Sequence, residues 1–186
     1  LTPEHIEAHG SFEKYKEAKG KLFAALKGKG VSIVNKDDEH AEYFEAFPAK
    51  EKLVYRIANL ESRIPSRKKT KEISVTEYTL TNQGAEFTVL LEGKEYTFKT
   101  KLLGLFNIYN SLAATSTCVA LGVDMSEVQK VFAEINPVPG RMEIIHDKKR
   151  DITVVVDYAH DPAALEQVYK TLLEIRDSQF EIRLIA

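Results

Sequence analysis

Along the chain, the apolar positions change their period several times, and each change marks an element. Thr2-Pro3-Glu4 has the order of an N-cap, a first-turn proline and an early acid, which predicts a helix start. After Gly10-Ser11 a helix is expected over Phe12–Leu26, with Phe12, Tyr15, Leu22, Phe23 and Leu26 on its apolar stripe. Lys19 falls on that stripe, where a charged residue is out of place. Val31–Val34 and Leu53–Ile57 read as buried strands, with a short helix over Asp37–Phe47 between them. Glu61–Lys71 is polar and basic and reads as a solvated loop. From Ile73 to Thr100 the period is two, with turns at Asn82-Gln83-Gly84 and Glu92-Gly93, which predicts an antiparallel meander.

Helical spacing returns over Asn107–Leu121 and ends at Gly122. Asp124 with Glu127 has capping-box spacing and opens a helix carrying Val128, Val131, Phe132 and Ile135 on one face. Asn136-Pro137-Val138-Pro139-Gly140 cannot continue that helix and marks a domain boundary. It divides the chain into 1–138 and 139–186. Beyond it come strands over Met142–Ile145 and Ile152–Val156, then a helix over Pro162–Arg176 with Leu165, Val168, Leu172 and Ile175 inward. Phe180–Ile185 has the look of a further strand, so a parallel α/β unit begins here. The fold class is α/β.

Composition narrows the function classes. The 186 residues carry 26 Lys+Arg against 28 Asp+Glu, for a formal charge of −2. That balance makes no field for nucleic acid or anionic lipid, so no nucleic-acid partner is expected, and no stretch reaches ~18 apolar residues, so no membrane insertion is expected. A single cysteine, Cys118, excludes an internal disulfide framework and most thiolate metal sites. The reading is a cytoplasmic protein.

Three groups of residues could carry chemistry. His5 and His9 are four apart, on one face of a helix, which also suits a plain surface pair. Lys19 either snorkels to water or is a buried amine able to add carbon dioxide and become a carbamate, an oxygen ligand for a hard cation. Asn107 and Asn110 project from one side of a helix start, where amides can read a purine edge or cap backbone N–H groups. In the third group, Gly140-Arg141-Met142-Glu143 precedes Val154–Val156, a strand that ends in Asp157-Tyr158-Ala159-His160-Asp161-Pro162. Strand ends followed by helix starts hold nucleotides in open α/β sheets; otherwise Asp161 is an N-cap and Asp157 a loop acid.

In order and spacing these segments resemble the Mur ligase family of ATP-dependent amide-forming enzymes. The resemblance covers Leu1–Lys19, Val34-Asn35-Lys36-Asp37-Asp38-Glu39, Gly104–Asn110, Gly140–Glu143 and Asp157–Pro162. Within the family it is most similar to the subgroup that adds diaminopimelate or lysine to a UDP-N-acetylmuramoyl dipeptide in peptidoglycan synthesis. The resemblance implies a partial central ATPase domain followed by the start of a Rossmann-like C-terminal domain. It also implies ATP and Mg2+ as cofactors, with a UDP-N-acetylmuramoyl peptide and a free amino acid as substrates. By the same resemblance Lys19 is a carbamylated lysine that places magnesium, and His5 is a metal ligand. Asn107 and Asn110 approach the adenine, Arg141 and Asp157 the ribose and phosphate side, and His160 the phosphates. Lys19 and His160 are the implied catalytic pair.

Two positions depart from the subgroup: Glu7 stands where Asp is usual, and Asp161 where Thr or Asn is usual. No G-x-x-x-x-G-K-[ST] run occurs in these residues. The expectation is therefore an internal piece of a ligase, inactive by itself. A folylpolyglutamate synthase and a non-catalytic ligase-like interaction module are the alternatives.

Overall fold

The computed structural model describes residues 6–58, 70–150 and 152–179. Two short helices, α1 (Ile6–His9) and α2 (Phe12–Ala24), lead into strand β1 (Val31–Asn35). Ser11 caps α2 by accepting from the Lys14 N–H. Helix α3 (Ala41–Glu45) is shorter than its pattern predicts. Asn35 Oδ1 accepts from Asp37 N–H and Asp38 Oδ1 from His40 N–H, and these side-chain turns delay its start.

Strands β2 (Glu51–Ile57), β3 (Thr70–Thr81), β4 (Gly84–Leu91) and β5 (Lys94–Thr100) complete a five-stranded sheet in the order β1-β2-β3-β4-β5. β1, β2 and β3 pair in parallel, whereas β3, β4 and β5 form the expected meander. The two-residue turn at Glu92-Gly93 has positive φ at both positions, 50° and 80°, which matches the twist of the flanking strands. Thr70 and Lys71, read from sequence as loop, begin β3; the rest of the basic segment, with residues 59–69, lies outside the described residues.

The sheet is covered on both faces. On one face Val34 and Val54 bury against Ala41 and Phe44, with Phe23 and Tyr43 alongside. On the other, helices α4 (Leu105–Ala120) and α5 (Met125–Glu134) close over the main core of Leu53, Ile73, Val75, Phe87, Val89 and Phe98. Phe87 stacks on Phe98, and Phe132 meets Phe98 edge-on at 5.6 Å. Asp124 caps α5, but Val131 and Ile135 are exposed. Only the stripe Met125, Val128 and Phe132 is buried, because α5 packs on β5 at the sheet edge rather than over its middle.

The second unit is smaller. β6 (Glu143–Asp147) and β7 (Ile152–Val156) pair antiparallel, and α6 (Pro162–Gln179) follows. Asp161 Oδ1 accepts from Ala164 N–H, so Asp161 is an N-cap. Leu103, Met142 and Ile175 form a buried cluster with Phe106, Val155, Val168 and Leu172, which joins this unit to the start of α4. Leu165, expected inward, is exposed, one turn before Val168 and beyond the edge of that cluster. The expected strand over Phe180–Ile185 lies outside the described residues.

Candidate nucleotide site

Two strips of polar residues are tied to the buried cluster of Leu103, Met142 and Ile175. The first belongs to α4 itself. Its N-cap is Gly104, with φ of 85° and no side-chain cap, so neither asparagine caps the helix. Asn107 Nδ2 donates to the Leu103 carbonyl at 2.8 Å, and Asn107 Oδ1 accepts from Asn110 Nδ2 at 3.1 Å. Asn110 is exposed and keeps one N–H and its carbonyl oxygen free of these bonds, a donor and an acceptor side by side. The pair thus divides its work: Asn107 orients, and Asn110 presents.

The second strip comes from the second unit. Asp157 Oδ2 accepts from Met142 N–H at 2.8 Å, and Oδ1 from Ala159 N–H at 2.7 Å. Glu143 Oε2 accepts from Gly140 N–H. Met142 has φ of 48°, unusual for a side-chain-bearing residue and held in place by Asp157. The neighbouring Arg141 lays its guanidinium over the Tyr158 ring, 4.7 Å from the centroid. The His160 ring meets Tyr158 at 4.9 Å, and its Nδ1 lies 3.0 Å from the Tyr158 carbonyl oxygen. Nδ1–H donates there, leaving Nε2 turned to solvent. Tyr158 is 64% exposed, so a cation, a ring and an imidazole form an open shelf.

The strips are connected. Asn110 holds Asn107, and Asn107 holds the Leu103 carbonyl. Leu103 shares a buried cluster with Met142, and Met142 is held by Asp157. A family model for the Mur ligase middle domain matches residues 1–118, and one for the Mur ligase glutamate ligase domain matches residues 140–186. The chain belongs to the Mur ligase family.

The UDP-N-acetylmuramoyl-L-alanyl-D-glutamate--2,6-diaminopimelate ligase of Geobacillus thermodenitrificans is 34% identical over 178 residues, covering 92% of this chain and 34% of that protein. A solved ligase of the same name is 30% identical, with a TM-score of 0.67 over 89% of this chain and 33% of that one. MurF from Acinetobacter baumannii, at 20% identity, shares the fold with a TM-score of 0.77 over 94% of this chain and 36% of that one. The chain spans about a third of the length of the curated relatives it matches.

The remaining expected site residues fare differently. His5 lies outside the described residues, and with it the expected helix start at Thr2. Lys19 is exposed, with Nζ 5.3 Å from the Tyr15 ring, and Leu22 is 75% exposed. Of the expected stripe, Tyr15 is buried and Phe12 and Phe23 pack inward, but Lys19 and Leu22 face solvent. α2 packs on α3 through Phe12, Lys16, Gly20 and Phe23, because Gly20 admits the Tyr43 hydroxyl and the Phe47 ring. A Cβ on Gly20 would sit 2.5 Å from that hydroxyl. Burial therefore does not desolvate the Lys19 amine here. Among the described residues no group of three or more His, Cys, Asp or Glu could hold a metal ion.

Two residues were passed over in sequence. Tyr158 stands inside a quoted motif but carries the shelf. Asp37 follows β1, at the carboxyl end of a parallel strand, where ligands gather in such sheets.

Proposed function

We propose that the chain is the nucleotide-handling part of an ATP-dependent ligase. In this reading the whole enzyme joins a free amino acid to a UDP-N-acetylmuramoyl peptide in the cytoplasm during peptidoglycan synthesis. The observation that supports it is the contact path from Asn110 through Asn107, Leu103 and Met142 to Asp157, which ties an exposed amide to the cationic shelf.

The chemistry that suits such a site is activation of a carboxylate. The peptide carboxylate attacks the γ-phosphorus of ATP, ADP leaves, and an acyl phosphate forms. The amine of the incoming amino acid then attacks the acyl carbonyl, and phosphate leaves from the tetrahedral intermediate. Asn110 faces the base. Asp157 holds the Arg141–Met142 backbone so that Arg141, stacked on Tyr158, meets the ribose–phosphate side, and His160 Nε2 meets the phosphates. Mg2+ would neutralise phosphate charge. Lys19 as an ammonium repels that ion, so its proposed part requires carbamylation, which labelled bicarbonate would reveal as a carbamate carbon signal. The boundary at 138/139 is proposed as the hinge between the two units.

The test uses the full-length product of the gene encoding this chain. With ATP, Mg2+ and UDP-N-acetylmuramoyl-L-alanyl-D-glutamate, addition of diaminopimelate or lysine should release ADP and yield a product heavier by that residue. Glutamate addition to a folate instead would assign the folylpolyglutamate reaction. ATP binding without turnover of either pair would assign an interaction module.

A further inference from the structure

We propose that Asp37 and Tyr109 are a positioning pair that sets the roll of α4 and so aims Asn110, making the pair a determinant of base specificity. This rests on the reading of Asn110 as the base-facing amide. Asp37 lies in the turn after β1, its own N–H donating to Asn35 Oδ1 at 3.0 Å. Its Oδ2 accepts from Ile57 N–H at the end of β2, at 2.8 Å, and from the Tyr109 hydroxyl at 2.9 Å. One carboxylate oxygen thus ties the ends of two parallel strands to α4.

Tyr109 stands between Asn107 and Asn110 in sequence, and adjacent helical residues project about 100° apart. Fixing the phenol therefore fixes the direction of the amide beside it. Side-chain atoms lie about 6 Å from a helix axis, so a roll of roughly 20° would carry the Asn110 amide about 2 Å, enough to lose a hydrogen bond. Gly104 gives the helix start no side-chain cap that could resist such a roll. The surroundings keep the phenol a donor: burial first, then the bond and charge of Asp37, and then Tyr78 and Tyr55 hold it protonated. Tyr78 follows the register shift between Val75 and Glu77, a bulge of the kind that re-aims side chains next to functional sites.

The experiment compares Tyr109→Phe, Asp37→Ala, Asp37→Asn and Asn110→Ala in the full-length gene product. It reads kcat and KM for ATP, equilibrium binding of ATP and GTP, and melting temperature. Tyr109→Phe and Asp37→Ala should each raise the KM for ATP by about fivefold to tenfold, the worth of the one neutral hydrogen bond that a misaimed Asn110 loses, with kcat retained. The preference for ATP over GTP should fall by a similar factor. Asp37→Asn keeps an acceptor oxygen and should recover most of the loss. Asn110→Ala tests the underlying reading. If it erases base preference while Tyr109→Phe and Asp37→Ala leave it intact, the positioning role is wrong. If Asn110→Ala leaves base preference unchanged, the base-facing amide fails and this proposal with it. Should Tyr109→Phe unfold the protein, the Asp37 pair is read by the same criteria.

Discussion

At Gly104 the start of α4 lies against Thr171 of α6, and replacing the glycine by alanine should reveal what that contact is worth. Its φ of 85° and ψ of 156° lie in a region essentially reserved for glycine. A Cβ there would come within 2.5 Å of Thr171 Oγ1 and 2.9 Å of Thr171 Cγ2, both on α6. Thr171 is 3% exposed and its hydroxyl donates to the Gln167 carbonyl, so it has little room to give way. Backbone strain contributes about 2 kcal/mol and the forced contact about 2 more, so Gly104→Ala should destabilise by about 4 kcal/mol. Thr171→Ala alone should cost about 1 kcal/mol. In the double variant the Thr171 clash is gone, but the strain and a 2.9 Å approach to Phe106 Cε1 remain, so the loss should be about 4 rather than 5 kcal/mol. Urea unfolding of the four proteins by circular dichroism measures this cycle. Additive losses, within about 0.5 kcal/mol, would show that the close approach of α6 to the start of α4 does not exist in solution.

The Tyr109 phenol is raised from the ordinary tyrosine value, first by burial and then by its bond to Asp37. A raised group gives stability that is present below the unfolded value, near 10, and is lost as pH climbs through the folded one. Urea midpoints should therefore fall above pH ~10, and more gently in Tyr109→Phe; parallel slopes would contradict the buried bond. Thr115 is fully buried, and its hydroxyl has no partner among the described residues, so Thr115→Val should stabilise by about 1 kcal/mol in urea unfolding. A loss of that size would instead reveal a hidden partner for the hydroxyl. The 186 residues contain no phosphate-loop motif, so this chain alone should release ADP from ATP at background rate; turnover above that would show that the β- and γ-phosphates are held some other way.

The sheet and its helices were legible because their periods are local. The meander announces itself by alternation at Phe87, Val89 and Leu91, and α5 by Asp124 placed before an apolar repeat. The orientation of α2 was legible only in part, at Phe12, Tyr15 and Phe23. Its packing face is chosen by a glycine and a lysine stem, Gly20 and Lys16, which no hydrophobic pattern scores, so Leu22 and Lys19 were assigned to the wrong side. The motif residues of the two strips were named from sequence. How they share the work was not, since an asparagine at a helix start can cap it or reach back to a carbonyl as Asn107 does, and the grip of Asp157 on Met142 spans 15 residues and a φ of 48°. Asp37 was quoted within a motif without a role, because its partner Tyr109 lies 72 residues away.

The central claim is that the α4 asparagines and the Arg141–His160 shelf hold one nucleotide between them. Photolabelling of the full-length gene product with 8-azido-ATP and Mg2+, followed by tryptic mapping, tests it directly. Lys101, Lys130, Arg150 and Lys170 bound two peptides, 102–130 with Asn107 and Asn110, and 151–170 with Asp157, Tyr158 and His160. The account predicts label in these peptides, suppressed by excess ATP and reduced in Asn110→Ala. ATP-protected label confined to other peptides would contradict it.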